Sequence, residues 1–431
     1  MALDLAPLPT RYVLTGTRVP ACLLDAPGPA DAEGLARAEI AIVDGRFAAA
    51  GDHAELPRLD LAGRLVLPGL VDIHTHLDKA FIWPRAPNPD GTFIGAISAV
   101  AADRQARWRA DDVAARMEFA LRCAHARGTV AIRTHLDSIG PQTAISWEVF
   151  DDLRARWAGR IALQAVSLVP PEHVLEDALF APVLEAARRH GGALGVVAQA
   201  GPRVAPALER LFAAAEAHGL DLDLHLDETG DPASHALRTT AEIAIRRRFA
   251  GRILAGHCCS LAVQAAGEAG RTLDLVAQAG IGVVSLPLCN LYLQDRASGR
   301  TPRWRGLTLL HEMKARGIPV MVASDNVRDP FYAYGDFDLV EVLRAATRIG
   351  HLDHPFADWP ATIAATPAAA MGVDAGRIAA GRPADLILFE ATSLNELMSR
   401  PGAARTVLRA GRAIDTTPPD YRELDALMEP A

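Results

Sequence analysis

Four histidines and one aspartate, spread over more than half of the chain, have the types and spacing to hold a metal ion. One residue, Thr75, separates His74 from His76. His225, His257 and Asp325 each follow a run typical of a buried strand. Strand side chains alternate between two faces, so His74 and His76 are expected to point the same way. Three imidazoles and a carboxylate suit Zn²⁺ or Fe²⁺ and leave one coordination position for water. The sequence therefore predicts one divalent ion held by His74, His76, His225 and Asp325.

The elements that must position these side chains are strands that alternate with amphipathic helices. Helical spacing of apolar residues is clear in Asp111–Arg127 and Ala205–His218. The strand candidates are Leu65–Ile73, Thr129–Thr134, Ile161–Leu168, Leu194–Ala198, Leu220–Leu224, Arg252–Gly256, Gly282–Leu286 and Ile318–Ser324. Eight such strands predict an α/β protein with a (β/α)₈ TIM-like barrel, in which the carboxyl ends of the strands meet at one mouth.

The two ends of the chain have a different, β-rich pattern. The N-terminal part contains Tyr12–Leu14 and Ala38–Val43, the second of which runs into an Asp44-Gly45 hairpin turn. The C-terminal part contains the apolar runs Ala384–Phe389 and Thr406–Arg412. These segments predict a small β-sandwich built from residues 1–66 and 376–431, and a barrel domain over residues 67–375.

Composition narrows the classes of partner. The chain has 431 residues, a formal net charge of −8 and 5% aromatic residues, without a basic run. These features disfavour nucleic acid and anionic membranes. Five cysteines without paired spacing indicate reduced thiols. We expect a cytoplasmic enzyme that acts on a small molecule; homo-oligomerisation is left open.

The order of four motifs is more specific than any one histidine. They are HTHLD at His74–Asp78, LHLDE at Leu224–Glu228, GH at Gly256-His257, and ASDNVRDP at Ala323–Pro330. In this order they resemble the amidohydrolase superfamily, and within it the cytosine deaminase group. The resemblance runs from about Tyr12 to about Ile414.

This resemblance implies roles for the residues around the metal. A metal-held hydroxide would attack an amino-substituted ring carbon, and ammonia would leave. Glu228 would carry protons to the ring nitrogen, His257 would orient the hydroxide, and Asp325 would accept a proton while it binds the metal. The other interpretation of Glu228 is a solvated loop carboxylate. No lysine closes the fourth or fifth strand candidate, which favours a mononuclear site.

Three residues are candidates for binding the substrate. Gln164 matches the glutamine with which cytosine deaminases hold the ring amide, although a strand glutamine can instead be satisfied internally. Lys79 and Asn326 depart from cytosine deaminases and are similar to N-alkylammelide amidohydrolases. Lys79 would donate to a ring oxygen; alternatively it faces solvent or pairs with Asp78 or Asp90.

The function predicted from the sequence is hydrolytic deamination of a cytosine-like N-heterocycle. The alternatives are an aminohydrolase of N-substituted triazines, similar to N-isopropylammelide amidohydrolase, and a cyclic amide hydrolase. A metal-binding barrel without turnover is the alternative outside enzymes.

Overall fold

The computed structural model describes residues 8–49, 51 and 53–429. The strands of this part of the chain are β1 Arg11–Pro20, β2 Leu35–Val43, β3 Arg46–Phe47, β4 Arg58–Asp60, β5 Val66–Pro68, β6 Leu70–Thr75, β7 Thr129–Asp137, β8 Ala162–Leu168, β9 Val197–Ala198, β10 Leu222–Leu226, β11 Ile253–His257, β12 Gly282–Ser285, β13 Val320–Val322, β14 Leu386–Phe389, β15 Arg405–Arg409 and β16 Arg412–Ala413.

Helices connect most of the middle strands. They are α1 Phe93–Arg107, α2 Ala110–Ala126, α3 Gln142–Trp157, α4 Pro171–Leu175, α5 Asp177–His190, α6 Val204–His218, α7 Ala236–Arg247, α8 Ala266–Ala279, α9 Pro287–Leu293, α10 Leu310–Lys314, α11 Leu339–Gly350, α12 Ala365–Met371, α13 Leu394–Ser399 and α14 Asp425–Met428. Several of them end at a glycine in the left-handed conformation, where the absent Cβ removes the steric penalty: Gly191, Gly219, Gly280 and Gly372.

The strands β6 to β13 form the predicted (β/α)₈ barrel. One sheet has the order β6-β7-β8, and β9 to β13 follow as neighbours in a second sheet with parallel pairing. Isolated parallel bridges join Val166 to Ala193 and Thr75 to Asp325. The second bridge brings the chain just after β13 beside β6, so the last strand returns to the first. The residues of β6, β7, β10 and β11 are buried throughout, as expected of strands covered on both faces.

The first predicted strand, Leu65–Ile73, is wrong as a single element. The structure divides it at Gly69 into β5 and β6. Pro68 has no N–H to continue a ladder, and a Cβ on Gly69 would lie 2.3 Å from Val130 Cγ1. β5 pairs with β14 instead, and only β6 joins the barrel sheet.

The terminal segments form two four-stranded sheets, with the orders β3-β2-β1-β4 and β16-β15-β14-β5. The predicted turn is confirmed: Asp44 and Gly45 both have positive φ, and Val43 pairs with Arg46. The Tyr12 hydroxyl donates to the Gly411 carbonyl at 2.6 Å and so joins the two ends of the chain. These sheets constitute the small β-sandwich.

Two compact units can be distinguished by their internal contacts. One comprises the described part of Met1–Asp72 together with Arg122–Ala131 and Asp338–Pro419; the other comprises Ile73–Leu121, Ile132–Phe337 and the described part of Asp420–Ala431. The five cysteines are free thiols. Among the described residues, no helix combines the length and hydropathy needed to cross a lipid bilayer.

A buried ion pair in the first unit gives a stability prediction. Arg405 donates to both carboxylate oxygens of Asp338, which also caps α11 by accepting from the Val340 N–H at 3.0 Å. Burial opposes ionisation of Asp338, but the Arg405 guanidinium more than offsets it and lowers the pKa of that carboxyl. We expect Arg405→Met to leave a buried charge unpaired and to reduce the free energy of unfolding by about 3–5 kcal/mol.

Chemical denaturation followed by circular dichroism measures this loss. Arg412→Met, which removes an exposed arginine from β16, is the matched control. The double variant Arg405→Met/Asp338→Asn should lose less than the sum of its two single variants, because it removes both charges. A loss in Arg405→Met no larger than that in Arg412→Met would contradict the prediction.

Candidate active site

The backbone brings the predicted metal ligands to the carboxyl ends of three barrel strands. His74 lies in β6, His225 lies in β10, and Asp325 follows β13. The Asp325 N–H donates to the His74 carbonyl at 2.9 Å, which fixes the first and last strands beside one another. Asp325 and His257 both have positive φ, 59° and 68°. Such a conformation costs a residue other than glycine about 1–3 kcal/mol and is concentrated at functional sites.

The donor atoms of His74, His76, His225 and Asp325 converge within 4.8 Å of one another. The Nε2 atom of His225 lies 3.1 Å from that of His74 and 3.2 Å from that of His76. Asp325 Oδ1 lies 3.2 Å from His76 Nε2 and 3.6 Å from His74 Nε2. Ligands at about 2.0–2.1 Å from a tetrahedral ion are about 3.3 Å apart, so these spacings fit one Zn²⁺-sized ion.

The surroundings of the cluster favour neutral imidazoles. Burial lowers the pKa of His74, His76 and His225 well below the usual value, which leaves each nitrogen lone pair available to a metal at neutral pH. Gly256 makes room for the His74 ring, because a Cβ there would lie 2.7 Å from His74 Cε1. The donor set is therefore of the kind that holds a divalent ion.

Glu228 and His257 lie beside this cluster and share a hydrogen-bond donor. Asn290 Nδ2 donates to Glu228 Oε1 at 3.3 Å and to His257 Nδ1 at 3.0 Å. Burial lowers the pKa of His257 to about 3. A neutral imidazole that accepts at Nδ1 carries its proton on Nε2, and His257 Nε2 has no hydrogen-bond partner among the described residues. His257 thus offers one N–H donor to the site.

The carboxyl group of Glu228 is set up to hold a proton. Burial raises its pKa well above the usual value, and the charge of Asp325 raises it further. The solvated-loop interpretation of Glu228 is wrong, since the side chain is only 5% exposed.

A cavity of about 220 Å³ opens onto these groups. Its polar lining includes ligands and neighbours of the metal cluster: His76, His225, Glu228, His257, Asp325, Lys79, Asn326, Asp137 and Arg104. One wall is apolar and comes from α1, through Phe93, Ile97, Val100 and Ala101. Acid–base groups, a metal-ligand set and an apolar wall therefore face the same space.

Two of the three predicted substrate-binding residues line this cavity. Lys79 Nζ lies 2.7 Å from Asp137 Oδ1 and 5.4 Å from the centroid of the Phe331 ring. Its partner is thus Asp137, rather than Asp78 or Asp90. Asn326 Nδ2 donates to Asp329 Oδ2 at 2.7 Å.

Gln164 is not brought to the cavity. It lies near the start of β8, whose last residue, Leu168, is the one that lines the cavity. Its Oε1 accepts from Arg133 Nε and Nη2 at 3.1 and 2.8 Å, and Arg133 also pairs with Asp223 at 3.0 Å. The internally satisfied strand glutamine is therefore what the structure shows.

Sequence reasoning missed several polar residues of the site. His135 lies in β7 with its ring centroid 4.1 Å from that of His74, and His74, His135 and Asp223 form a second group of converging donor atoms. The predicted strand ended at Thr134, so recognition of one further strand residue would have revealed His135. Arg104 lies in α1 and Asn290 in α9, and neither helix contains a recognised motif. Nothing in the sequence pattern identifies these two residues as part of the site.

Comparisons with known proteins give a family model and a relative that matches nearly the whole chain. The family model described as "Amidohydrolase family" matches residues 178–415, more than half of the chain. A pterin deaminase of Rhizobium rhizogenes is 51% identical over 428 residues, which are 98% of this chain and 98% of that protein.

Solved structures share the fold. The 5-methylcytosine deaminase from Klebsiella pneumoniae liganded with 5-fluorocytosine superposes with a TM-score of 0.80 and 24% identity, over 94% of this chain and 97% of that one. The N-isopropylammelide isopropylaminohydrolase from Burkholderia multivorans gives a TM-score of 0.71 and 22% identity, over 94% and 98% of the two chains.

Proposed function

Since the chain belongs to the amidohydrolase family and is a hydrolytic deaminase, we propose that its substrate is a pterin, whose 2-amino group it replaces by an oxygen with release of ammonia. The observation that carries this proposal is the 51% identity to a pterin deaminase along almost the full length of both chains. A pterin contains an amino- and oxo-substituted pyrimidine ring, as does the cytosine-like substrate predicted from the sequence, and adds a fused pyrazine ring. The cytosine-like ring itself is not confirmed.

The ligands proposed for the metal are His74, His76, His225 and Asp325, whose donor atoms converge as described. Zn²⁺ and Fe²⁺ both accept this mixture of imidazole and carboxylate. A divalent ion bound there would lower the pKa of a coordinated water to about 7 and so supply a nucleophile at neutral pH.

Side chains of the site would transfer the protons of the reaction. Asp325 would accept the proton that the attacking water gives up. Glu228, which burial keeps protonated, would deliver its proton to the ring nitrogen next to the attacked carbon. It would then take up the remaining proton of the attacking water and pass it to the amino group, which leaves as ammonia, and the proton held by Asp325 would restore Glu228. The Nε2–H of His257, held in that tautomer by Asn290, would donate to the oxygen that enters the ring carbon.

Lys79 and Asn326 are proposed to hold the oxo side of the ring. The Lys79 ammonium has three N–H donors and Asp137 occupies one, so a donor is left for the 4-oxo oxygen of a pterin. Burial lowers the pKa of Lys79, but the carboxylates of Asp137, Asp78 and Asp329 together more than offset this effect, and the pKa is raised overall. The side chain thus stays charged at neutral pH.

One competing substrate class has a specific observation in its favour. Lys79 and Asn326 are similar to the residues of N-alkylammelide amidohydrolases, and an N-isopropylammelide hydrolase shares the fold. An N-substituted aminotriazine is therefore the second candidate.

A substrate panel separates the candidates. Protein loaded with Zn²⁺ or Fe²⁺ would be given pterin, cytosine, isocytosine and N-isopropylammelide, and ammonia and isopropylamine would be measured separately. We expect kcat/KM for pterin to exceed that for every other ring by at least about ten-fold, because each mismatched polar group leaves a buried partner unpaired. Faster turnover of cytosine or N-isopropylammelide would overturn the pterin assignment. Metal-loaded protein that turns over none of the rings would overturn the proposed deamination itself.

A further inference from the structure

Arg104 is a cation of the cavity that the deamination chemistry does not use. It extends from α1, lines the cavity and has a side chain that is 13% exposed. Its Nη1 atom donates to Asp137 Oδ2 at 2.7 Å. Among the described residues, the guanidinium has no other hydrogen-bond partner, although it carries five N–H donors. Most of its donors are therefore available to a ligand.

The carboxylates near Lys79 and Arg104 are unevenly distributed between these two cations. Asp137 lies between Lys79 and Arg104, at 2.7 Å from each. One carboxylate thus faces two cations. Asp78 and Asp329 further compensate Lys79, whereas the structure shows no second carboxylate in contact with Arg104 among the described residues. Arg104 is consequently the less compensated of the two cations.

The helix that carries Arg104 is firmly held. Asp103, the preceding residue, is buried and accepts from Arg85 Nε at 3.0 Å and from Trp108 Nε1 at 2.7 Å. A guanidinium on a fixed helix loses little entropy when it binds a carboxylate. Because its helix is fixed and its Nη1 atom is bound to Asp137, the Arg104 guanidinium is preorganised for a ligand.

The wall that carries Arg104 is more exposed than the metal-ligand cluster. The metal-ligand cluster is buried, whereas Ile97, about two helical turns before Arg104 on the same wall, is 43% exposed. A ring with its amino-bearing carbon at the metal ligands would extend its far edge toward this more exposed wall. A substituent on that edge would then meet the unused donors of Arg104.

We propose that Arg104 forms a subsite for an anionic substituent, a carboxylate on the pyrazine ring of a pterin. A guanidinium binds a carboxylate through two parallel N–H···O bonds, which supplies both affinity and orientation. This inference rests on the proposed pterin deamination and narrows it to pterins that carry an acidic side group.

The test compares pterin with pterin-6-carboxylate in the wild-type chain, Arg104→Gln and Arg104→Lys. In Arg104→Gln, the loss of kcat/KM on the carboxylate should exceed the loss on pterin by about 10- to 100-fold, mostly through KM. Arg104→Lys should recover part of that difference. Arg107→Gln, on the same helix but outside the cavity lining, is the control and should change both substrates equally.

The outcomes distinguish the subsite from the reaction. Equal losses on both substrates in Arg104→Gln would show that Arg104 only holds Asp137 and would overturn the subsite, while pterin deamination stands. If the wild-type chain turns over neither pterin, the proposed reaction fails. Dissociation constants measured at equilibrium then test the subsite. If it exists, pterin-6-carboxylate binds the wild-type chain more tightly than pterin does, and Arg104→Gln abolishes this difference; the absence of either result would overturn the subsite.

Discussion

Replacement of both His74 and His76 by alanine is expected to remove the divalent ion and to lower pterin turnover by more than about 10⁴-fold. Without the ion, nothing lowers the pKa of the attacking water toward neutrality, so hydroxide is scarce at neutral pH. The two side chains supply half of the converging donor atoms. The remaining pair, His225 and Asp325, is too small a set to retain a Zn²⁺-type ion against dialysis. The loss should therefore appear in both metal content and rate.

Elemental analysis after dialysis measures the first of these losses. The wild-type chain should hold about one ion, because the described geometry places four donor atoms around one position. His218→Ala, which removes an exposed histidine at the end of α6, should keep both the ion and the activity. An unchanged metal content in the double variant would contradict the assignment. Two ions per wild-type chain would instead show that the group of His74, His135 and Asp223 is occupied as well.

The metal cluster could be predicted because its geometry follows from local rules. His74 and His76 share a strand face by alternation, and His225 and Asp325 meet them because parallel strands end at one mouth of a barrel. These rules need only the order of strands along the chain. The structure brings these donors together as the spacing predicted.

Features that depend on a residue's position along a barrel strand or on packing between elements could not be predicted in the same way. Gln164 has the right side chain on a barrel strand, but it lies four residues before the end of β8 and binds Arg133 instead. The apolar run Leu65–Ile73 has no internal signal strong enough to divide it, apart from Pro68 and Gly69. Contacts with β14 and Val130 decide that division.

The motifs also could not predict the size of the substrate ring system. The motif residues surround the attacked carbon, where a cytosine-like ring and a pterin look alike. Another wall of the cavity is formed by α1, through Phe93, Ile97 and Arg104. Those residues lie in an ordinary amphipathic segment. Their spacing does not indicate whether the cavity accommodates a single ring or the two fused rings of a pterin.

Glu228→Gln is expected to keep the metal and the fold but to lower kcat by about 10²–10⁴-fold, the usual contribution of a positioned acid–base group. Glutamine has nearly the same shape, and its Oε1 can still accept from Asn290 as the glutamate does. It has no proton to transfer, so the ring nitrogen and the departing ammonia lose their donor. The change therefore separates proton delivery from binding.

Three measurements on Glu228→Gln make that separation: metal content, the dissociation constant of the deaminated product, and kcat for pterin. Metal and product binding should match the wild-type chain, and kcat alone should fall. Asp231→Asn, an exposed carboxylate three residues later, is the control and should leave all three unchanged. A near-normal kcat in Glu228→Gln would show that Glu228 is a bystander, and Asp325 would then be the remaining carboxylate at the metal-ligand cluster able to carry the proton.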